Sequence, residues 1–383
     1  MQAYILFIAI IILACNSRQS DKEEPKSASQ NTEQDTATGL PLHQIRLPAG
    51  FEISVYADDV ENARSLAISP SGKLFVSSKE AGNVYVVVDM DQDHHTDKKW
   101  TIVSSGMKQP NGVALKDGDL YVAEISKVWK FPQVESNLDN PVKELFYDQY
   151  PDKEHHGWKF IAFGPDGNLY IPVGAPCNIC ESKEEVFASI TRLNMETKAM
   201  EVIQHGVRNT VGFAWHPVTK ELWFTDNGGD WLGDDAPACE LNYAPKENMN
   251  FGFPYCHAGE LLDPKFGKDK NCADYTPPAQ KLGPHVAPLG MHFYTGDMFP
   301  PQYKDYIFIA EHGSWNRSTP IGYRVMMVML EGNKAVSYEP FAEGWLQGGE
   351  AWGRPVDLEQ LPDGSLLVSD DMAGVVYRIS YKG

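Results

Sequence analysis

The sequence predicts an all-β protein, one six-bladed β-propeller, on three observations. A strand-turn-strand unit recurs six times, no long amphipathic helical pattern separates the copies, and no second low-complexity break divides the globular part. Each unit is an apolar β-run, a turn of the Pro/Asp/Gly kind, and a second β-run ending in small or acidic residues. The copies are LAISPSGKLFVSS (66–78), GVALKDGDLYVAE (112–124), IAFGPDGNLYIPVG (161–174), FAWHPVTKELWFTD (213–226), MFPPQYKDYIFIAEH (298–312) and LEQLPDGSLLVSDD (358–371). Turns such as PDGN and PSGK supply the positive-φ glycine that a tight connection between two strands needs. Their uneven spacing fits four-stranded blades with loops of different length. A β-sandwich shows similar turns, but six copies of one unit favour radial repetition. The one stretch with a helical look is CESKEEVFASI (180–190).

Upstream of the first unit the chain changes character twice. Residues 1–14 carry an uncharged apolar run too short to span a bilayer and ending in small residues, the pattern of an export signal. Ile12-Leu13-Ala14-Cys15 resembles a bacterial lipoprotein cleavage box, which makes Cys15 the lipidated first residue; the alternative is a cleaved signal followed by an incidental cysteine. Residues 15–39 hold no large apolar cluster and cannot offset their ordering entropy, so they read as a disordered polar tether. Residues 40–383 form the propeller. The expected protein is exported, periplasmic or at the cell surface, and meets a bacterial membrane only through its lipid.

A formal charge of −19 disfavours nucleic acid and anionic membrane surfaces as partners and suits a neutral small molecule. No dinucleotide or P-loop glycine pattern and no Gly-x-Ser-x-Gly elbow is present.

Four stretches can carry chemistry. In DMDQDHHTD, Asp89, Asp91, Asp93 and Asp97 are spaced like the first part of an EF-hand loop, yet His94 occupies the glycine position and Trp100 the place of the closing glutamate. The choice is between a structural calcium and a solvated acidic turn. In TDNGGDWLGDD (225–235), Gly228 and Gly229 let backbone carbonyls approach a hard cation, with Asp226, Asp230, Asp234 and Asp235 to complete its shell; the alternative is a flexible acidic loop. HGVRN places Arg208 and Asn209 between two units, suited to holding a carboxylate or planar oxyanion. Cys177-x-x-Cys180 is followed by Glu181 rather than His, which removes a c-type haem, and no second ligand pair exists for a closed zinc site. A Cys177–Cys180 disulfide is the default. Cys256 and Cys272 flank the longest loop and form a second pair, leaving Cys239 unpaired.

The segments LPAGFEISVYADDVENARSLAISPSGKLFV, HHGWKFIAFGPDGNLYIPVGAPCNIC, HGVRNTVGFAWHP, NFGFPYCHAG, IAEHGSWNRS and GRPVDLEQLPDGSLLVSDDMAGVVYRI together resemble the soluble quinoprotein sugar dehydrogenases of the glucose/sorbosone type. The Cys-rich stretches and EHGSWNRS look most like the sorbosone and pyranose dehydrogenase branch. The resemblance implies pyrroloquinoline quinone (PQQ) and calcium as cofactors, and oxidation of an aldose or sugar aldehyde with hydride leaving sugar C1 for the quinone. His156 corresponds to the base, with His155 as its rival; if the pair lies in a strand, alternation lets one of them face the channel. Arg208 and Asn209 fall beside the cofactor, where the guanidinium would stabilise charge on the reduced quinone. Gly228 and Gly229, with Asp230, match the catalytic calcium loop, and Arg354 matches a cofactor-carboxylate arginine. Val356 stands where the glucose branch has a second arginine. A lysine expected near AEHGSWNR is absent, leaving His312 or Arg317 to stand in. The electron acceptor is unknown. A calcium-dependent propeller lactonase and a non-catalytic binding propeller are the competing readings.

Overall fold

The computed structural model describes residues 38–383 apart from Ser105; the export signal, Cys15 and the tether up to residue 37 lie outside the described residues. Six blades of four antiparallel strands make a propeller, the third extended by a short fifth strand that pairs in parallel. The first five begin with the strands Ala63–Ile68, Gly112–Lys116, Ala162–Phe163, Phe213–Trp215 and Pro288–Phe293, and the sixth with Pro355–Gln360. Each of these first strands lies innermost. The sixth blade is completed by Phe51–Ala57 from the start of the domain, which pairs antiparallel with Val375–Tyr381, Val55 opposite Tyr377. Joining the two ends of the chain in one sheet closes the ring and removes an exposed edge.

The second strand of each blade explains the apolar runs in the repeat. Leu74–Ser78, Leu169–Val173, Leu222–Asp226, Ile307–Glu311 and Leu366–Asp370 are buried at every residue, because neighbouring blades cover both faces. The core therefore lies between blades. Phe75, Val84 and Val86 of the first meet Val113, Val122 and Phe131 of the second, and Phe51 of the closing strand seats edge-on against Phe299, Tyr303 and Phe341 of the fifth. Burying one such aromatic contributes about 1.5–3 kcal/mol. Near the axis there is no room for a side chain at Gly212 or Gly290, whose added Cβ would collide with Leu289 O and the Asp357 carboxylate.

Two expectations need correction. Residues 180–190 form no helix; they run as loop into the strand Ser189–Leu193. In the fifth unit the first strand is Pro288–Phe293, ten residues before MFPP, and the connection to Ile307–Glu311 carries a 3-10 turn at Pro301–Tyr303. Pro300 and Pro301 lack the N–H a strand ladder requires, so the segment turns instead of pairing.

Antiparallel blades sort their connections onto two faces. The turns between first and second strands, and the third-to-fourth connections, emerge at one end. The second-to-third connections and the links between blades emerge at the other. The long insertion of the fourth blade starts at the first of these ends but returns: Met249–Asn250 pairs in parallel with Met200–His205 of the third blade, and Cys256–Cys272 fastens it. No helix among the described residues is long and apolar enough to cross a membrane.

Candidate active site

Where the second-to-third connections and inter-blade links converge, they enclose a cavity of about 570 Å³. The residue directly after a second strand reaches its wall in four blades: Lys79, Asn227, His312 and Asp371. The repeat thus delivers a polar side chain at the same structural position from several directions.

His155 and His156 lie in a turn, not a strand, so strand alternation does not separate them. The turn is closed by Gly157 N–H donating to Glu154 O at 3.0 Å and fastened by the buried Lys159, whose Nζ donates to Gly157 O at 2.7 Å. Burial alone pushes the Lys159 ammonium down to about 7. His156 takes φ 50°, a left-handed conformation that turns its ring inward while His155 stays exposed. Its Nδ1 lies 3.0 Å from Ala175 O. A carbonyl can only accept, so Nδ1 carries the proton and Nε2 keeps its lone pair. Burial first, then the charges of Arg208 and His155, hold the imidazole well below its usual range and keep it neutral. Gly174 makes this seat possible, since a Cβ there would lie 2.5 Å from His156 Cβ.

Arg208 is buried with every arm engaged. Nε donates to Asn178 O at 2.8 Å, Nη1 to Asn227 O at 3.1 Å, and Nη2 to Asn178 Oδ1 at 2.8 Å and Asp230 Oδ2 at 3.1 Å. Asn178 sits inside the Cys177–Cys180 disulfide loop, and also accepts Asp230 N–H at 2.9 Å. The carboxylate of Asp226 accepts the backbone N–H groups of Arg208 and Asn209 at 2.8 and 2.6 Å. Behind Gly228 a small recess holds Asp226 and Glu240, both driven above the carboxylate range by burial, Glu240 further by Asp226 itself. Cys239 is buried and unpaired, its thiol pushed up to about 11 by burial.

On the opposite wall Arg354 is held by its own neighbours, Nε donating to His312 O at 3.1 Å and Nη2 to Gly313 O at 3.3 Å, and has no carboxylate partner among the described residues. His312 Nε2 meets Asp371 Oδ1 at 2.8 Å, and Asp371 Oδ2 takes Arg64 Nη1 at 2.9 Å. Burial pushes His312 down to about 4. Val356 is buried with Val211 and Leu289 near the axis, an apolar setting with no place for a second arginine. Arg317 is not in the cavity wall. Its guanidinium donates to Asp234 O, Thr319 O and Asp235 Oδ1, tying one rim loop to another.

The cavity accommodates an anionic cofactor and a hard cation. Arg354 offers an unneutralised guanidinium, and the carbonyls of Gly228 and Gly229 accept no hydrogen bond from any described residue. Gly228 lines the cavity itself and Gly229 the recess behind it. Asp89, Asp91 and Asp97 bring their oxygens within 4.8 Å of one another, whereas Asp93 stands outside that group and accepts from His95 N–H at 2.8 Å. This trio follows a third strand, Asn83–Val88, so it lies on the face away from the cavity.

Sequence reading missed Lys79, Arg64, Trp158, His285, Asn316 and Asp371, all in the wall. For Lys79 and Asp371 the signal available was positional, the residue directly after a second strand; Arg64, Trp158, His285 and Asn316 carry no such mark. Lys79 in particular provides a lysine from the first blade, its Nζ 4.1 Å above the Trp158 ring, where the resemblance looked for one in the fifth.

Fold and site together define a six-bladed propeller in which a buried neutral histidine and an arginine without a carboxylate partner face one cavity. The chain belongs to the glucose/sorbosone dehydrogenase family, whose model matches residues 123–378. An uncharacterized protein of Borreliella burgdorferi is 31% identical over 356 residues, 88% of this chain and 91% of that one. The pyrroloquinoline quinone-dependent pyranose dehydrogenase of Coprinopsis cinerea is 32% identical over 128 residues, 28% of this chain and 17% of that protein. Its holo PQQ domain superposes with a TM-score of 0.74 at 17% identity, covering 88% of this chain and 97% of that one. The iodide structure of a Trichoderma reesei family AA12 carbohydrate-active enzyme gives 0.77 at 18% identity, covering 88% and 97%. These superpositions bear on the fold.

Proposed function

We propose that the protein is a PQQ- and calcium-dependent dehydrogenase that oxidises an aldose or sugar aldehyde, with His156 as the base. The observation that carries this reading is the 3.0 Å contact of His156 Nδ1 with Ala175 O, which commits Nδ1 as donor and leaves Nε2 an available lone pair in a cavity also walled by the unpaired Arg354. When bound, PQQ supplies the two-electron acceptor. His156 Nε2 takes the proton of the substrate hydroxyl, and its depressed basicity keeps it deprotonated at neutral pH. Arg354 binds a cofactor carboxylate, Gly228 and Gly229 give their carbonyls to calcium, and Asn209 and Lys79 orient groups across the cavity. Arg208 acts by position, fixing Asn178, Asn227 and Asp230 around the calcium loop. On the far face, Asp89, Asp91 and Asp97 hold a structural calcium. Two disulfides and the N-terminal signal accord with export, and Cys15 with a lipid anchor.

The test is to add calcium and PQQ to the purified protein and follow the quinone absorbance. Saturable binding, lost on chelation, followed by bleaching on addition of an aldose is expected. Quinone binding that survives chelation would remove the metal role of the Gly228 loop. Absence of quinone binding, with or without lactone hydrolysis, would overturn the dehydrogenase reading.

A further inference from the structure

Both exposed tryptophans among the described residues stand at the rim of the same cavity. Trp231 is 70% and Trp315 66% exposed, and their rings meet edge to face with centroids 5.2 Å apart. Exposing two indoles side by side forgoes burial that ten other large aromatic side chains of this fold obtain, and a paired, solvent-facing aromatic surface marks a binding site more often than a surface accident.

The pair is also held in place. Trp231 occupies a left-handed backbone position, φ 70°, in a loop gripped from three sides. Asn178 brackets Asp230, accepting its N–H and donating to its carbonyl; His285 Nε2 lies 2.7 Å from Gly233 O; and Arg317 Nε donates to Asp234 O at 3.0 Å. Arg317 belongs to the loop that carries Trp315, so the strut that removes it from the cavity wall is the one that fixes the two indoles relative to each other.

A second observation points to the ligand. Asn316, next to Trp315, lines the cavity, and neither its amide nitrogen nor its amide oxygen has a hydrogen-bond partner among the described residues. An amide presents one acceptor and a two-hydrogen donor side by side, which matches neighbouring hydroxyls on a ring. An aromatic face beside a free amide suits a pyranose, whose C–H face is apolar and whose edge carries alternating hydroxyl donors and acceptors.

We propose that Trp231, Trp315 and Asn316 form an outer sugar subsite that binds the second ring of a disaccharide or longer aldose, while its reducing end sits at His156. Trp315 and Asn316 line the cavity and Trp231 lies beyond them, so the surface runs outward from the reacting end. This rests on the dehydrogenase reading for what happens at the reducing end, but the subsite binds saccharide with or without cofactor.

The test compares glucose with its β-1,4- and α-1,4-linked disaccharides on the full chain and on Trp231→Ala, Trp315→Ala and Arg317→Ala. In the quinone-free protein, a disaccharide should change the tryptophan emission saturably, and Trp315→Ala should abolish that change. In the protein loaded with PQQ and calcium, with a small dye as acceptor, Trp315→Ala should raise the disaccharide-to-glucose KM ratio about threefold to tenfold, and Arg317→Ala should raise it by a smaller factor by loosening the pair. Failure of quinone turnover with an intact fluorescence titration sinks the dehydrogenase reading and leaves the subsite standing. No emission change with either disaccharide, or a KM ratio that stays the same, overturns the subsite. So does a loss confined to a protein or membrane-quinone acceptor, which would make the pair an acceptor-docking surface.

Discussion

The strand Leu169–Val173 has a glycine just beyond each end, and the two glycines serve opposite faces of the propeller. Gly167 sits in the Pro-Asp-Gly turn at φ 76°, where its job is to let the chain reverse. Gly174 has ordinary dihedrals, and its missing side chain makes space for the ring of His156. One face of the molecule is built from local turn chemistry, repeated with the blades. The other is built from side chains that arrive from four or more blades and meet over the axis. A change on the turn face should therefore be felt as stability, and one on the cavity face as turnover.

The largest expected effect tests the cavity face directly. His156→Asn should bind calcium and PQQ but lose about 10²–10⁴ in kcat, and His155→Asn far less, because His155 is exposed and outside the wall. The pH profile sharpens this. A base must be unprotonated to act, and burial has lowered the His156 imidazole well below the 6.5 of a free one. The acid limb of kcat in the wild-type protein should accordingly fall well below pH 6.5, and should vanish in His156→Asn. A limb centred at 6.5 in both proteins would mean that another group is being read.

Gly174→Ala comes next. Its Cβ would sit 2.5 Å from His156 Cβ and 2.9 Å from His156 O, so the turn must shift. A displacement of about 1 Å at a base costs on the order of 10² in rate. Stopped-flow reduction of the bound quinone would measure it, and an unchanged rate would show that the turn yields without moving Nε2. Arg354→Ala should weaken PQQ binding by about 10- to 100-fold, the worth of one charge-assisted hydrogen bond, read by titrating quinone absorbance. Equal affinity in the variant would place the cofactor's carboxylates elsewhere, with Lys79 the next cation in the wall.

The same division explains what the sequence disclosed. Turns such as PSGK and PDGN are local, because a glycine with positive φ must be adjacent to the residues it reverses; they mark four of the six units, and the Pro217 turn, with Lys220 at φ 62°, marks the fourth in the chain. The fifth unit was misplaced because Pro288–Phe293 is joined to its partner by a long connection with no tight turn to mark it. Cys177–Cys180 and Cys256–Cys272 were legible from spacing and loop length. Arg64, Asp371 and His312 were not legible as a group: 307 residues separate Arg64 from Asp371, and only closure of the ring brings them together. The His155/His156 choice was made for a strand, whereas one left-handed residue in a turn decides it, and nothing in the letters EHHG announces which histidine takes that conformation.

The smallest effect is the control for all the others. Gly167→Ala puts a Cβ on a residue at φ 76°, where the nearest atom is the flexible tip of Lys116 at 3.0 Å, so the cost is conformational and not a clash. Holding an alanine in the left-handed region costs about 1–2 kcal/mol, which in a domain of this size lowers Tm by about 1–3 °C. Thermal unfolding should show that shift while kcat and KM stay at wild-type values, since the turn opens onto the face away from His156. Should Gly167→Ala lower kcat as Gly174→Ala does, strain would be passing along the five buried residues of Leu169–Val173 from one face to the other, and the blades could no longer be treated as rigid supports for the site.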